Sequence, residues 1–278
     1  MRCALVQMTS SDQPSENLAA ARAFVAAAAA DGAGFVLTPE VTNCMSASRR
    51  HMHDVLRPEA DDPVLAGLSD AAAAAGVWLL IGSLALKPDP GAPDERFANR
   101  SFLIGPDGAI VARYDKIHMF DVQLSDTETY RESEGFRPGD RAVLARTPFG
   151  AVGMAVCYDL RFAPLFRALA QGGAEILTVP AAFAVPTGQA HWETLLRARA
   201  IETGSYVLAP AQVGTHPHST GAARQTWGHA LAVDPWGRVL CDGGDRPGLS
   251  FAEIDLAEVA KARARVPALI HDRVFSGP

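Results

Sequence analysis

The sequence lacks the features that mark several large classes of protein. It has only four cysteines in 278 residues, and no Cys-x-x-Cys pair, so it suggests neither a disulfide framework nor a zinc site. No apolar run is long enough to cross a membrane, and the first apolar run is too short for the core of a signal peptide. We therefore expect a protein of the reducing cytoplasm.

An excess of basic residues is also missing. Aspartate and glutamate number 31 against 25 lysines and arginines, which gives a formal charge of −6. Binding to phosphates requires a concentrated basic face, and none is visible, so we expect no nucleic-acid and no membrane partner. The Gly-x-Ser-x-Gly elbow of many serine hydrolases is absent too, which argues against a serine nucleophile.

What the sequence does contain is a high apolar content in alternating strands and helices. Hydrophobic residues make up 48% of the chain, enough for one large core. Short apolar runs predict strands, and alanine-rich runs predict helices, the first with Ser15 as its N-cap. The predicted strands cover 3–8, 35–40, 77–83, 152–156, 174–180 and 205–212. The predicted helices cover 15–30, 63–75, 165–170 and 191–202, with loops at 43–61 and 87–96.

Two hairpin patterns complete this arrangement. Segments 101–116 and 229–241 each contain an apolar run, an x-Pro-x-Gly turn and a second apolar run. Because each half combines strand-helix-strand units with a hairpin, we predict an α/β fold of two stacked mixed sheets with outer helices, a four-layer α-β-β-α sandwich. Residues 1–278 are expected to form a single domain, whose tail, 256–278, docks on a partner subunit.

Cys157 stands at the most distinctive place in the sequence. It ends the small apolar strand 152–156, and polar residues and a helix-like run follow it at once. A cysteine on such a strand-to-helix elbow points its sulfur into the crevice at the strand ends, beside backbone N–H groups. This position suits a nucleophile. The alternative is a small core residue, since free cysteine is among the most buried residue types.

A nucleophilic cysteine needs neighbours that help it lose its proton. A lysine ammonium lowers the pKa of a thiol by stabilising the thiolate, and a carboxylate can accept the proton. Glu40 and Lys116 each follow a predicted strand, as Cys157 does, so we expect the three to converge on one crevice. His118 is an alternative base. The acidic residues that follow, Glu128, Glu132 and Glu134, have the pattern of a solvated loop.

Five segments together resemble the nitrilase superfamily of carbon–nitrogen hydrolases along nearly the whole chain. They are 38–40 (TPE), 114–122 (YDKIHMFDV), 153–162 (GMAVCYDLRF), 188–193 (GQAHWE) and 228–237 (GHALAVDPWG). The resemblance implies that Glu40 is the general base, Lys116 the oxyanion stabiliser and Cys157 the nucleophile. It also implies that Glu132 is the second glutamate that many members place beside the lysine. The fold of the superfamily is an α-β-β-α sandwich that pairs into a dimer, and its reaction needs no metal and no cofactor.

Within this superfamily the sequence most resembles the branch of the deaminated glutathione amidases, which is close to the ω-amidases. Their substrates carry a 2-oxoglutaryl group, and its carboxylate needs a cation. The resemblance gives that role to Arg161, since a guanidinium binds a carboxylate in a bidentate manner. It further implies that Phe183 and Thr187 line the pocket and that the backbone N–H of Tyr158 is a second oxyanion donor. An ion pair of Arg161 with Asp159 or a glutamate is the structural alternative.

The expected activity is hydrolysis of a non-peptide amide bond through a cysteine thioester, with deaminated glutathione split into 2-oxoglutarate and cysteinylglycine. An ω-amidase that acts on 2-oxoglutaramate or succinamate is the alternative within the branch. A nitrile hydrolase or an N-carbamoyl hydrolase would use the same three residues. A non-catalytic interaction protein with this fold would require a missing member of the triad, and all three are present.

Overall fold

The structure is a computed structural model that describes residues 1–126, 128–221 and 223–277. The strands are β1 (Arg2–Gln7), β2 (Phe35–Leu37), β3 (Trp78–Leu86), β4 (Phe97–Ile104), β5 (Ile110–Asp115), β6 (Asp121–Gln123), β7 (Thr129–Arg131), β8 (Phe136–Arg137), β9 (Val143–Thr147), β10 (Gly150–Met154), β11 (Ile176–Thr178), β12 (Tyr206–Ala209), β13 (Val213–Thr215), β14 (Gln225–Trp227), β15 (Leu231–Val233), β16 (Val239–Asp242) and β17 (Gly248–Glu253). The helices are α1 (Pro14–Ala30), α2 (Arg49–Val55), α3 (Pro63–Ala75), α4 (Ala163–Gln171), α5 (Val185–Thr203) and α6 (Leu256–Arg265). Short 3-10 turns cover Glu59–Asp61, Glu132–Glu134, Cys157–Arg161 and Ala268–Ile270.

Two mixed sheets form the centre of the fold. The first has the strand order β17-β1-β2-β3-β4-β5, with β8 paired to β4, and the second has the order β16-β15-β12-β11-β10-β9. In the first sheet β1, β2 and β3 run parallel, and in the second β10, β11 and β12 do. Because parallel strands end at the same edge of a sheet, residues that follow them gather in one crevice.

The side chains of β1 show how the layers are stacked, because alternate residues of a strand face opposite sides of its sheet. Cys3 and Leu5 pack into the core with Val152 of the second sheet. Ala4 and Val6 pack on the other side, in a cluster that contains side chains of α1 and α3. Helices α4 and α5 pack against the second sheet. The order of layers is α-β-β-α, which confirms the predicted fold.

Two predictions near the N-terminus are wrong. Helix α1 begins at Pro14 after the N-cap Gln13, so Ser15 lies inside the first turn and caps nothing. Proline suits this position, since its missing N–H has no intrahelical partner there. The segment 43–61, predicted as a loop, contains α2, and the Ser48 side chain caps that helix.

Helix α5 begins six residues earlier than the predicted 191–202, because Pro186 lies in its first turn and does not interrupt it. A Cβ atom at Gly188 would lie 2.3 Å from the Trp227 ring, so glycine here permits close packing of this turn. None of the described helices, α5 included, is both long and apolar enough to span a membrane.

The C-terminal segment has the predicted short helix and extended end. The Asp255 side chain caps α6 by accepting a hydrogen bond from the backbone of Ala257. Farther along, Arg167 and Gln171 of α4 hold the carboxylate of Asp272. Phe275, beyond that point, is 86% exposed, so this chain alone does not cover the apolar end of the segment.

Candidate active site

The two sheets come into close contact at Gly82 in β3. A Cβ atom there would lie 2.0 Å from the carbonyl oxygen of Thr38 and 2.6 Å from Cβ of Pro180, so only glycine fits. Thr38 leads into Glu40, and the carbonyl of Pro180 accepts a hydrogen bond of 2.9 Å from the backbone N–H of Cys157. This contact therefore holds the strand ends that carry Glu40 and Cys157 next to each other.

A cavity of about 890 Å³ opens at these strand ends. Seven of the eight predicted site residues line it: Glu40, Lys116, Glu132, Cys157, Tyr158, Phe183 and Thr187. Arg161 is the exception, because it does not lie on the cavity wall. The residues that follow separate strands in the sequence thus meet in one place, although 117 positions separate Glu40 from Cys157.

The segment 43–61 forms part of the same wall. Cys44, Met45 and Arg49 face the cavity together with Met52 of α2. Burial raises the pKa of the Cys44 thiol to about 12, so this second cysteine stays protonated. Among the described residues, no group of three or more His, Cys, Asp or Glu side chains is arranged to hold a metal ion.

Cys157 occupies an unusual backbone position at the start of its 3-10 turn. Its φ is +50°, in the left-handed region that non-glycine residues seldom adopt, and the residue is only 7% exposed. Burial and the charge of Glu40 raise the pKa of the thiol by more than Lys116 lowers it. The expected lowering by the lysine is therefore outweighed, and the thiol keeps its proton.

The Glu40 carboxylate accepts three hydrogen bonds from the described residues. Lys116 Nζ and Asn99 Nδ2 each lie 2.9 Å from Oε1, and the backbone N–H of Ala182 lies 2.9 Å from Oε2. Burial raises the pKa of this carboxyl, but the charge and hydrogen bond of Lys116, with a smaller effect of Cys157, lower it below the usual value. Glu40 is therefore ionised at neutral pH and can accept the thiol proton.

Lys116 is a buried cation between two carboxylates. Its side chain is 2% exposed, and Nζ lies 2.9 Å from Glu40 Oε1 and 2.8 Å from Glu132 Oε2. Burial lowers the pKa of the ammonium, but the negative charges of Glu132 and Glu40 raise it by more, so the lysine stays protonated. A buried charge of this kind is tolerated because it is fully paired.

Glu132 lies beside the lysine, as the resemblance implies, and not in a solvated loop. It begins a 3-10 turn, and its Oε2 accepts a hydrogen bond of 2.6 Å from the backbone N–H of Phe120. With both oxygens occupied by Lys116 and Phe120, the Glu132 carboxylate fixes the position of the ammonium.

Asn99 is a site residue that the sequence analysis missed. Its Nδ2 donates to Glu40 Oε1 (2.9 Å) and to Glu132 Oε1 (3.3 Å), the same oxygen atoms that Lys116 Nζ contacts, so Asn99 also bridges the two carboxylates. Its buried Oδ1 has no hydrogen-bond partner among the described residues. The two carboxylates dictate this orientation, since a flipped amide would turn its oxygen toward both. The only indication of this role in the sequence is that Asn99 is a polar residue in the largely buried strand β4.

His118, the alternative base, is engaged elsewhere. Its Nδ1 lies 2.7 Å from Asp159 Oδ1, and its ring stacks on Phe162 with centroids 3.5 Å apart. Asp159 is fully buried and also accepts hydrogen bonds from Tyr114 Oη (2.7 Å) and the backbone of Val156 (2.9 Å). This network holds the elbow around Cys157, and His118 does not lie on the cavity wall.

Arg161 packs against two side chains that do line the cavity. Its guanidinium carbon lies 5.5 Å from the centroid of the Phe183 ring and 5.8 Å from that of Tyr158, and Nη2 lies 3.3 Å from His191 Nδ1. The alternative of an ion pair with Asp159 is wrong, because the Asp159 carboxylate is occupied by Tyr114, His118 and Val156 as described above.

Arg224 lines the cavity, and no sequence signal identified it. It lies in the irregular stretch before β14, half-buried, with Nη2 3.1 Å from the carbonyl oxygen of Ala182. Its guanidinium carbon lies 5.6 Å from the centroid of the Tyr130 ring. Arg224 is therefore a further cation on the wall of the cavity that holds Lys116.

Comparison with known proteins gives a consistent result. Residues 2–264 match the profile of the family described as carbon–nitrogen hydrolase. A deaminated glutathione amidase of Yersinia enterocolitica is 40% identical over 274 residues, which cover 98% of this chain and 93% of that protein. The omega-amidase of Homo sapiens is 34% identical over 276 residues, which cover 98% of this chain and 95% of that protein. The crystal structure of the NitFhit protein of C. elegans superposes with a TM-score of 0.89 at 35% identity, and the match covers 98% of this chain and 65% of that longer one.

The family match covers nearly the whole chain, and the relatives share both its sequence and its fold. A buried thiol, a carboxylate and an ammonium meet at the strand ends of this fold. The chain therefore belongs to the carbon–nitrogen hydrolase family of the nitrilase superfamily, and it is an enzyme that hydrolyses carbon–nitrogen bonds other than peptide bonds.

Proposed function

We propose that this enzyme is an amidase that splits deaminated glutathione into 2-oxoglutarate and cysteinylglycine. The observation that carries the proposal is the cluster of Cys157, Glu40 and Lys116 on one cavity wall, in which Lys116 Nζ lies 2.9 Å from the Glu40 carboxylate. The relative at 40% identity is named for this substrate, and the omega-amidase is less similar at 34%. Both similarities support an amide substrate with a 2-oxo acid acyl group.

The first half of the reaction forms the acyl-enzyme. The Cys157 thiol passes its proton to Glu40 as the sulfur attacks the amide carbon, so the thiolate need not exist beforehand. The oxygen of the tetrahedral intermediate takes the negative charge, and Lys116 and the backbone N–H of Tyr158 stabilise it. One such donor is typically worth about 3 to 4 kcal/mol. The C–N bond then breaks, Glu40 gives its proton to the leaving nitrogen, and a thioester remains on Cys157.

The second half hydrolyses the thioester. Glu40, now ionised again, takes a proton from a water molecule that attacks the thioester carbon. The same oxyanion donors stabilise the second tetrahedral intermediate. When the C–S bond breaks, Glu40 returns the proton to sulfur. In this scheme Glu132 acts as a positioning residue, because its contacts are with Lys116 and Phe120.

The acyl side of the substrate is proposed to bind near the elbow. Phe183, Thr187 and Tyr158 line the cavity there, and Arg161 packs on the rings of Phe183 and Tyr158. In this proposal Arg161 binds the acyl carboxylate, which requires its guanidinium to move from its contacts with the two rings into the cavity. The cavity of about 890 Å³ is in the upper part of the range for small-molecule sites, which suits a substrate with a dipeptide leaving group.

The test is hydrolysis of deaminated glutathione and 2-oxoglutaramate side by side, with Cys157→Ala as the control. We expect the larger kcat/KM for deaminated glutathione and no turnover by the control. A preference for 2-oxoglutaramate would make the enzyme an ω-amidase. Ammonia release from nitriles or N-carbamoyl compounds alone would reject both substrates.

We further propose that the enzyme is a cytoplasmic homodimer. Its four cysteines are free, as is usual in a reducing compartment, and an apolar face of this single-domain chain is left exposed. Ile201 of α5 (56% exposed) and Trp236 of the β15-β16 turn (53%) lie close to each other, and the tail, 256–278, begins beside them with Arg265 over the Trp236 ring. A second copy of the chain is the proposed partner of this face and of the tail. Ile201→Glu is expected to give monomers in light scattering, while Val111→Glu, at a site 45% exposed on β5, leaves the dimer intact. A dimer that survives Ile201→Glu would rule out this face.

A further inference from the structure

The substrate proposed above carries a carboxylate on each side of its amide bond. One belongs to the 2-oxo acid of the acyl group, and the other is the terminal carboxylate of the cysteinylglycine leaving group. 2-Oxoglutaramate has only the first, since it releases ammonia. An enzyme that prefers the larger substrate therefore gains from a second cation on the leaving-group side of Cys157.

Three arginines line the cavity, and they differ in the partners that their guanidinium groups already have. Arg49 forms an ion pair of 2.6 Å with Glu134, and Arg131 is exposed. Arg224 is half-buried, and no carboxylate among the described residues pairs with it; its described hydrogen bond goes to the carbonyl of Ala182. A guanidinium has five N–H donors, so most of those of Arg224 remain available to a ligand.

The contacts of Ala182 place Arg224 on the side of the general base. The backbone N–H of Ala182 donates to Glu40 Oε2 (2.9 Å), and its carbonyl accepts from Arg224 (3.1 Å). After the larger effects of burial, Lys116 and Cys157, the charge of Arg224 also lowers the pKa of the Glu40 carboxyl. Because Glu40 must protonate the leaving nitrogen, the leaving group departs on this side.

We propose that Arg224 binds the terminal carboxylate of the leaving group and so selects substrates that release a peptide over those that release ammonia. The inference rests on the proposed function. A guanidinium binds a carboxylate through two parallel hydrogen bonds, which a lysine cannot reproduce. The Tyr130 ring beside the guanidinium restricts its orientation.

The test compares Arg224→Gln with the wild type on three substrates: deaminated glutathione, its analogue with a C-terminal amide in place of the carboxylate, and 2-oxoglutaramate. We expect kcat/KM for deaminated glutathione to fall about 10- to 100-fold, mainly through KM, as for loss of a charge-assisted hydrogen bond. The other two substrates are expected to change by less than about 2-fold. For deaminated glutathione, the kcat/KM of Arg224→Lys is expected to lie between those of the wild type and of Arg224→Gln. Arg141→Gln, a fully solvated arginine away from the cavity, removes the same charge and is expected to change none of the three values.

Two results with the variant would overturn the proposal. An equal loss on all three substrates would mean that Arg224 supports Glu40 and not the leaving group. No loss on deaminated glutathione would mean that its carboxylate binds elsewhere. Failure of the proposed function is visible in the wild type alone: an enzyme that hydrolyses 2-oxoglutaramate but not deaminated glutathione has no such leaving group, and the role of Arg224 falls with it.

Discussion

Glu40→Gln is expected to lower kcat/KM for every amide substrate by at least about 10²- to 10⁴-fold, the usual contribution of a general acid–base group. The glutamine keeps the shape of the side chain but cannot accept the thiol proton. The variant loses the charge of Glu40 that helps raise the pKa of the Cys157 thiol, but burial, the largest cause, still raises it. Because the pKa of Glu40 is lowered in the free enzyme, the acid limb of the wild-type kcat/KM profile should lie below the ordinary glutamate value of 4.5. Steady-state kinetics across pH measures both effects.

His118→Ala is the matched comparison for this prediction. It removes the hydrogen bond to Asp159 and the stacking on Phe162, which position the elbow, but it removes no group that faces the thiol. Loss of one such hydrogen bond costs about 1 to 3 kcal/mol, so we expect a fall of about 10-fold. If His118→Ala abolished turnover and Glu40→Gln only weakened it, the base would be the histidine.

Lys116→Met is expected to cost both activity and stability. Methionine fills similar space but leaves the Glu40 and Glu132 carboxylates buried next to each other without the ammonium that lies 2.9 and 2.8 Å from them. Breaking a buried ion pair by removing one partner typically lowers the free energy of unfolding by about 3 to 5 kcal/mol. Urea unfolding at neutral pH measures this loss, and the oxyanion also loses its cationic donor.

The loss of stability in Lys116→Met should depend on pH. In the wild type the pKa of Glu40 is lowered by folding, so its pairing stabilises the fold above the ordinary glutamate pKa and is lost only as the pH falls through the lower folded-state value. In the variant, repulsion raises the pKa of one carboxyl, and proton uptake stabilises the fold. The difference between variant and wild type should therefore shrink as the pH falls from about 8 to about 5.

Lys261→Met is the control, since that lysine is exposed and pairs only with Glu258 on the surface of α6. We expect it to change the free energy of unfolding by no more than about 0.5 kcal/mol at any of these pH values. If Lys116→Met were equally harmless, the buried lysine would not be holding the two carboxylates together.

Local patterns predicted the positions of the reactive groups. Glu40 and Cys157 follow strands whose apolar composition and bounding turns are clear, and the two hairpins are marked by Pro and Gly. The order of layers followed from the alternation of these units. The same strand-end placement indicated Lys116, and the resemblance to the superfamily then implied its role at the oxyanion and identified Glu132.

The rest depends on contacts between distant parts of the chain. Asn99 bridges two carboxylates only because the fold brings β4 close to Glu40, which follows β2, and to Glu132, which follows β7. Arg224 reaches the cavity from an irregular stretch that has no periodic pattern. The direction in which the pKa of the Cys157 thiol shifts likewise could not be predicted without the structure, because it depends on how deeply the thiol is buried. Burial raises this pKa, and Lys116 lowers it by less. The first residues of α1 and α5 were predicted wrongly because each helix has a proline in its first turn, and proline usually interrupts a helix.

The thioester on Cys157 can be detected directly from the mass of the enzyme quenched with acid during turnover of deaminated glutathione. We predict an adduct of one 2-oxoglutaryl group on the peptide that contains Cys157, and the same adduct from 2-oxoglutaramate, since the acyl group is shared. Cys44→Ala should keep the adduct and Cys157→Ala should lose it. An adduct on Cys44, or continued turnover with neither an adduct nor a hydroxamate product when hydroxylamine is added, would contradict the account.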